Sequence, residues 1–332
     1  MIAAALKETT LLRLIATKFT GSGKRVNLLS RYLHDRIVLV ALSPSPLVSS
    51  LLLHGIVLVC RRILVALALV AICAANAPAW AQLRPLEPIS WHIFDDGVTI
   101  TADARVAGYQ GQRASLAGTK GDLWEVPTVS AAWVSGRFAI LASGTGLRLF
   151  TERERFRPPY AGVRPSHNGR RDDSGEYTIG TAVRLTPSSQ RFDALLRFGT
   201  RLPTTRNERG LDRDETDFFA TLGGRIRHSA LTVSAETGIG ITGTRDSTFE
   251  QDDVVLYDAR AEYTRGIVRH SIVLVGQAHL PGHHELRGVE DLSEVRLGFR
   301  IGRRKWISLE GIKGFETFSP AYGISLGFGV LR

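Results

Sequence analysis

Residues 191–201 read RFDALLRFGTR, and apolar and charged side chains alternate along them. Successive side chains of a β-strand point to opposite sides, so this alternation predicts a strand with two unlike faces. The apolar face carries Phe192, Ala194, Leu196 and Phe198. The charged face carries Arg191, Asp193, Arg197 and Arg201.

The same period of two dominates the chain from residue 82 to its end, and it predicts about twelve strands. Short turns alternate with longer polar loops between them, which is typical of bacterial outer-membrane barrels. We therefore predict an all-β fold, a transmembrane antiparallel β-barrel of about 12 strands. A soluble β-sandwich also alternates, but the strand lengths, the alternating loop lengths and the tyrosines near strand ends favour the barrel. The predicted strands lie near residues 98–109, 123–135, 137–150, 176–187, 191–202, 215–228, 230–244, 254–265, 268–280, 292–303, 305–313 and 321–331.

A net charge of +10 over 332 residues would normally suggest a nucleic-acid partner. The distribution of the charged residues along the chain argues against that interpretation. Residues 1–81 carry nine of the 42 basic residues and two of the 32 acidic ones, a net charge of +7, so the remainder carries only +3. Both cysteines also lie in this first quarter. The body of the protein is therefore predicted to bind no nucleic acid and to hold no disulfide or thiolate metal site.

Residues 61–81 read RRILVALALVAICAANAPAWA, the pattern of a signal peptide. Its apolar run is too short to cross a membrane as an anchor. Cleavage is predicted after Ala79-Trp80-Ala81, which leaves Gln82 as the first mature residue. We assign residues 59–81 to the signal peptide, 82–97 to a periplasmic N-terminal segment and 98–332 to the barrel. Residues 1–58 are interpreted as the product of a start codon assigned too early, with a genuine extension as the alternative.

Charges on the inner faces of the strands are the candidate functional residues, since the same charges facing lipid would be costly. They either line a hydrophilic pathway or pair with each other and fill a narrow bore, and both interpretations stay open at this point. The predicted pore-lining residues are Asp193, Arg197, Arg225, Arg227, Glu236, Asp258, Arg260, Glu262, Glu294, Arg296 and Arg300.

Three further motifs were considered as sites, and none is predicted to act as one. Gly238–Gly243 matches G-x-G-x-x-G but lies within a predicted strand rather than before a helix, so no cofactor is expected. Ser166, His167 and Asn168 are adjacent, and adjacency does not give the geometry of a catalytic triad. A cluster near a predicted strand end is assigned to a polar loop rather than to a metal site, and it contains His279, His283, His284 and Glu285.

Residues 195–227 carry a family resemblance. A strand ends in Arg201-Leu202-Pro203-Thr204, Gly210 follows, and Asp214-Glu215-Thr216-Asp217-Phe218 opens the next strand. This segment resembles the outer-membrane transporter-like proteins of the phenol-degradation meta-pathway. The resemblance implies a barrel that admits small organic, often aromatic, compounds, and it implies no catalytic residue. The chain ends Val330-Leu331-Arg332 where outer-membrane barrels usually end in an aromatic residue, although Phe328 lies on the lipid-facing side.

The sequence as a whole predicts an outer-membrane, porin-like channel or transporter for small organic molecules, aromatic ones included. Its expected partners are outer-membrane lipids, the barrel assembly machinery and a small-molecule solute. No enzymatic activity is expected. The alternatives are an outer-membrane lipid hydrolase and a non-conducting structural barrel.

Overall fold

The computed structural model describes residues 83–95, 97–187, 191–243, 252–279 and 289–332. The predicted extension and the predicted signal peptide, with Ala79, Ala81 and Gln82, lie outside the described residues. Within the described ranges, no helix has the length and apolar character needed to cross a membrane.

Thirteen strands and two short 3-10 helices form the described part of the chain. The helices span Trp91–Phe94 and Asn207–Arg209. The strands are β1 (Ile100–Ala114), β2 (Thr119–Ser135), β3 (Phe138–Arg155), β4 (Arg170–Asp173), β5 (Tyr177–Arg184), β6 (Phe192–Leu202), β7 (Asp217–His228), β8 (Leu231–Thr242), β9 (Asp252–Arg265), β10 (Val268–His279), β11 (Leu292–Ile301), β12 (Lys305–Gly314) and β13 (Tyr322–Leu331).

Twelve of these strands close into an antiparallel barrel, which confirms the predicted fold. Each pairs with its neighbours in the chain, and β1 also pairs with β13 from Thr101↔Leu331 to Gln110↔Tyr322. The short strand β4 pairs only with the end of β3 and stands outside the ring. Closure leaves no free sheet edge, so the backbone N–H and C=O groups of the ring are satisfied without water.

The first hairpin is longer than the sequence indicated. Residues 110–122 were predicted to be a loop, yet β1 and β2 continue to pair up to Ala114↔Thr119 and leave a turn of only residues 115–118. Their polar composition suggested a loop, because a strand that crosses hydrocarbon needs an apolar outer face. This hairpin instead extends past the lipid-facing zone, where a strand needs no apolar outer face.

The burial of the side chains is inverted relative to a soluble protein. On β6, Phe192, Leu196 and Phe198 are between 40% and 47% exposed, whereas Asp193 and Arg197 are buried. The terminal strand behaves in the same way. Its outward side chains are Tyr322, Ile324, Leu326 and Phe328, each more than half exposed. An outer face of this character suits hydrocarbon rather than water.

Two exposed tryptophans mark the height of this apolar face. Trp124 and Trp133 are both 51% exposed and lie near opposite ends of β2. Their separation is about 30 Å along the strand, or about 23 Å along the barrel axis for a tilt of ~40°. This is close to the apolar band of outer-membrane barrels, where aromatic side chains collect at both interfaces.

We expect Leu326→Arg to destabilise the barrel by about 2–4 kcal/mol, since Leu326 is 60% exposed in the middle of β13 and would place a guanidinium in hydrocarbon. Urea unfolding in lipid vesicles measures the change. The control is Phe315→Arg, because Phe315 is 64% exposed but lies beyond the end of β12. Equal losses in the two variants would contradict a lipid-facing β13.

Candidate functional site: a plugged lumen

Residues 83–95, which we call the plug, lie inside the barrel. The backbone carbonyl of Phe94 accepts a hydrogen bond from Arg184 near the short turns, whereas Arg84 forms an ion pair with Glu294 at the end of the barrel with the long loops. The plug therefore runs along the bore from one end to the other. The sequence assigned this segment to a periplasmic N-terminal region. It does not specify the contacts of the segment inside the barrel, because their partners lie on strands that are distant in the chain.

The part of the plug nearest the short turns is apolar. Ile89, Trp91, Ile93 and Phe94 are each at most 5% exposed. They pack against small and apolar inward-facing side chains of four strands, and these are Ala132, Val134, Ala139, Ala182 and Leu195. Burial of this much apolar surface stabilises the plug in place.

Glu87 binds the middle of the plug to the barrel wall. Its carboxylate lies 2.6 Å from Arg105 Nη2 and 2.9 Å from Arg296 Nη1, and Arg197 Nη1 donates to the Glu87 carbonyl at 3.0 Å. These arginines come from β1, β11 and β6, three separate parts of the wall. One residue of the plug thus contacts three separate parts of the wall, and its carboxylate offsets the charges of Arg105 and Arg296.

Arg84 holds the end of the plug near the long loops. Its guanidinium pairs with both oxygens of Glu294, at 2.6 and 2.9 Å, and stacks 3.9 Å above the ring of Tyr109. Glu294 also accepts from Arg296 Nε at 3.1 Å. The plug therefore supplies a cation to a wall carboxylate at this level, as it supplies an anion at Glu87.

Arg225 holds the other end of the plug. Its Nε and Nη2 donate to Asp193 Oδ2 at 2.9 and 2.6 Å, and its Nη1 donates to the Trp91 carbonyl at 3.0 Å and to Asp95 at 3.1 Å. His92 joins this group, with Nε2 lying 2.9 Å from Glu262. The side chain of Arg225 is fully buried, so these contacts compensate its charge without water.

The eleven predicted inner-face residues all point into the lumen, and most contact the plug or one another. Arg197 lies 3.4 Å from Glu236, and Arg260 lies 3.7 Å from Glu262. Arg227 lies 3.2 Å from Asp193, while Asp258 is buried beside this network. Arg300 differs, since it stacks on Trp306 and forms no ion pair with any part of the chain that the structure describes.

The sequence analysis missed several inward-facing charges. A local shift of register explains one of them, Glu125: it lies next to Pro127, where the pairing of β2 with β1 shifts, so that Glu125 and Thr128 are both buried although they are three residues apart. Arg105 keeps the alternation and could have been found from it, whereas Arg201 was assigned to the charged face of its strand but left out of the predicted pore-lining set. The missed residues are Arg84, Glu87, Asp103, Arg105, Glu125, Arg148, Arg184 and Asp217.

The loop of residues 203–216 folds over the lumen at the end with the long loops. Leu211 packs in a buried cluster with Leu83 of the plug, and Asp212 pairs with Arg148, which also reaches Glu125 at 3.0 Å. Gly210 has φ +72°, and a Cβ there would lie 2.6 Å from Val163 Cγ1. The segment that carries the family resemblance therefore builds a cap on the barrel.

A cavity of about 260 Å³ remains between the plug and the wall, and most of the wall residues that line it come from β1, β2, β3 and β5. On β3 its lining runs from Leu141 to Arg148, which is about 23 Å along the strand. The wall of the cavity is rich in small polar side chains, and these include Thr128, Ser130, Ser143, Thr145 and Thr178. A polar, elongated space beside an otherwise filled lumen is the feature of the site most suited to a small solute.

The other motifs have structural roles where they are described. Ser166 Oγ donates to Glu152 at 2.7 Å, and Asn168 takes a φ of +49° in the turn that joins His167 to Arg170. Gly238–Thr242 lie within β8, as predicted. His279 Nδ1 lies 2.7 Å from Asp291, while His283, His284 and Glu285 lie outside the described residues. Across the described ranges, no three His, Cys, Asp or Glu side chains cluster as metal ligands.

We expect a strong energetic coupling between Arg225 and Asp193. Replacement of either by Leu should cost about 3–5 kcal/mol, because it leaves an uncompensated buried charge. The double replacement should lose less than the sum, by about 1–3 kcal/mol, in urea unfolding in vesicles. The exposed pair Arg164–Glu208, at 2.6 Å, serves as control and should show no measurable coupling. Additive losses at Arg225 and Asp193 would refute the buried pair.

The cap predicts a pH dependence of stability. Burial, reinforced by the Glu176 carboxylate, raises the pKa of Asp212 to about 7 against the opposing effect of Arg148. The folded protein thus holds a proton that the unfolded chain releases above about pH 4. The free energy of unfolding should therefore fall as pH rises from about 4 to about 7.

Asp212→Asn should remove this component of the pH dependence, since asparagine cannot ionise. Urea unfolding at several pH values measures it. Asp214→Asn, at an exposed position of the same loop, is the matched control and should keep the wild-type slope. An unchanged slope in Asp212→Asn would show that another group titrates.

No family model matches this chain, and no curated protein matches it by sequence. Among solved structures it is similar to the COG4313 outer membrane channel from Pseudomonas putida F1, with 9% identity, 74% of this chain and 100% of that chain covered, and a TM-score of 0.54. The translocator domain of the autotransporter NalP from Neisseria meningitidis shares 12% identity over 71% of this chain and 89% of that chain, with a TM-score of 0.42. The outer membrane protease OmpT from Escherichia coli shares 10% identity over 74% of this chain and 99% of that chain, with a TM-score of 0.28. At 9% identity, the likeness to the Pseudomonas putida channel shows the fold of an outer-membrane β-barrel and no activity.

Proposed function

We propose that this chain is an outer-membrane channel for small organic molecules, aromatic ones included, and that the plug controls its opening. The observation that carries the proposal is the polar cavity of about 260 Å³ beside the plug. A purely structural barrel has no need of such a space. The similarity to a solved outer membrane channel agrees with this proposal.

The location in the bacterial outer membrane is part of the proposal. It is supported by the exposed apolar outer face, by the tryptophans at its two edges and by the signal peptide that the sequence predicts. The partners would be outer-membrane lipids around the barrel and the assembly machinery that inserts it. Phe328, 53% exposed on the last strand, is the aromatic residue available for recognition by that machinery.

The solute class rests on the lining of the cavity and on the family resemblance. The hydroxyl groups of the wall, together with the Glu87 and Arg105 charges, can solvate polar substituents. Leu141, Ile89 and Phe219 add apolar surface to the same cavity. A mixed lining of this kind suits a small amphipathic compound better than a simple ion. The resemblance of residues 195–227 to transporter-like proteins of phenol degradation agrees with that class.

Opening would require a shift of the middle of the plug rather than its withdrawal. Complete withdrawal would break the pairs at Arg84 and Arg225 and expose the packed Trp91, and each broken buried pair costs about 3–5 kcal/mol. Glu87 differs because its side chain is 34% exposed and borders the cavity. Movement around Glu87 would widen the cavity at the lowest cost.

We expect Glu87→Gln to increase permeation. The amide leaves Arg105 and Arg296 without their shared counter-charge, so the middle of the plug should loosen. Single-channel conductance and liposome swelling with small phenols and carboxylates measure the effect, and we expect a several-fold rise. Glu154→Gln is the matched control, because the Glu154 side chain is 68% exposed and lies 3.8 Å from Lys120 outside the lumen.

The permeation measurements, together with a phospholipase assay, separate the alternatives. No permeation by wild type or by Glu87→Gln, with both variants folded, would favour the non-conducting structural barrel. Equal permeation by wild type and Glu87→Gln would leave a channel but refute control by the plug. Hydrolysis of phospholipid that is lost in Ser166→Ala would favour the lipid hydrolase.

A further inference from the structure

Three arginines lie on neighbouring strands of the inner wall, toward the end with the short turns. Arg269 on β10 and Arg300 on β11 are direct cross-strand partners. Arg260 on β9 also faces the lumen and borders the central cavity. Like charges placed directly opposite on neighbouring strands destabilise a sheet, so this arrangement calls for a counter-charge.

The carboxylates nearby are already engaged. Asp95 of the plug pairs with Arg225 and Arg227 and acts on Arg269 only at longer range. Glu262 lies 2.9 Å from His92 Nε2 and 3.7 Å from Arg260, and Asp103 accepts a hydrogen bond from Ser130. Both act on Arg300 only at longer range. Neither Arg269 nor Arg300 forms an ion pair with any residue in the described ranges. The buried Nε and Nη1 of Arg269 and the buried Nε of Arg300 have no hydrogen-bond partner.

Arg300 is held in place by stacking rather than by an acid. Its guanidinium lies 3.6 Å from the centre of the Trp306 ring. Trp306 is buried in the lumen because Gly329 on β13 has no side chain, and a Cβ there would overlap the indole. The cation is therefore positioned while its donors stay available, which is the arrangement of a preformed anion site.

The rim around this part of the lumen is also basic. The five turns that connect strands at this end contain no acidic residue. Exposed basic side chains lie on or next to these turns and at the end of the last strand, and these are Arg137, Arg191, Arg265, Arg303, Arg304, Lys305 and Arg332. A rim of one sign raises the local concentration of anions at the mouth.

We propose that Arg260, Arg269 and Arg300 form a binding site for a small oxyanion, a carboxylate or a phosphate group, at the mouth of the lumen with the short turns. Guanidinium groups match such anions with paired hydrogen bonds. The anion can be a free solute or the headgroup of an anionic phospholipid. Anion binding at this site does not require conduction, so it can be tested independently of the proposed channel function.

Binding to the full mature chain in non-ionic detergent tests the site. Calorimetric titrations would use inorganic phosphate, acetate, benzoate and a short-chain phosphatidylglycerol as separate probes, with chloride as background. We expect saturable binding of at least one probe. Arg269→Gln/Arg300→Gln should weaken it at least tenfold, and the free solutes and the lipid probe show which source of anion the site prefers.

Arg303→Gln/Arg304→Gln is the matched control, since it removes the same charge from exposed positions on the next turn. We expect less than a twofold change in that variant. Equal weakening in both double variants would show a diffuse basic rim instead of a site and overturn the proposal. The absence of saturable binding to wild type would overturn it as well.

Arg269→Lys is a control for loss of folding, because it keeps the positive charge and removes only the paired hydrogen-bond donors. We expect intermediate binding in that variant. Thermal unfolding adds a second readout: phosphate or the bound probe should raise the Tm of wild type more than that of Arg269→Gln/Arg300→Gln. An equal rise in both would contradict the site even if the calorimetric signals were weak.

Discussion

The structure depends on one constraint, which is the neutralisation of charge inside a closed and narrow sheet. With apolar side chains on the outside, the alternation of each strand sends its polar residues into the bore. Charges there can be compensated only by water or by one another. The plug meets this requirement with Glu87 between Arg105 and Arg296, and with Arg84 on Glu294. It is thus an electrostatic component of the barrel as much as an obstruction.

The lumen divides into zones that differ in how charge is handled. Near the long loops, Arg148, Glu125 and Asp212 pair beneath the cap, and the plug buries Leu83 there. In the middle, a polar cavity lies between the plug and the wall. Near the short turns lie an apolar cluster around Trp91 and two arginines, Arg269 and Arg300, that form no ion pair with any described residue. A solute and an anion would therefore meet different surfaces in one bore.

Much of the barrel could be predicted because its signal is local and repeated. Alternation along residues 191–201 assigns Phe198 to lipid and Arg197 to the lumen, and the structure agrees. The prediction failed where the regular alternation along a strand is interrupted or no longer reflects a lipid-facing side. At Pro127 a change of register places Glu125 inward, and beyond the lipid zone the hairpin of β1 and β2 continues without an apolar face. The partners of each inward charge were also beyond prediction, since Arg225 and Asp95 are 130 residues apart in the chain.

The sequence by itself determined the strand count, the inward and outward faces and the polar character of the bore, because each follows from the period-two arrangement of neighbouring residues. Only the tertiary structure decided that residues 83–95 fill the lumen, that a cavity survives beside them, and that Arg269 and Arg300 lie opposite each other without an acid. These features depend on the curvature that brings β1 against β13. Closure places residues from the whole chain around one axis. Local sequence patterns do not specify which of these residues will face each other across the lumen.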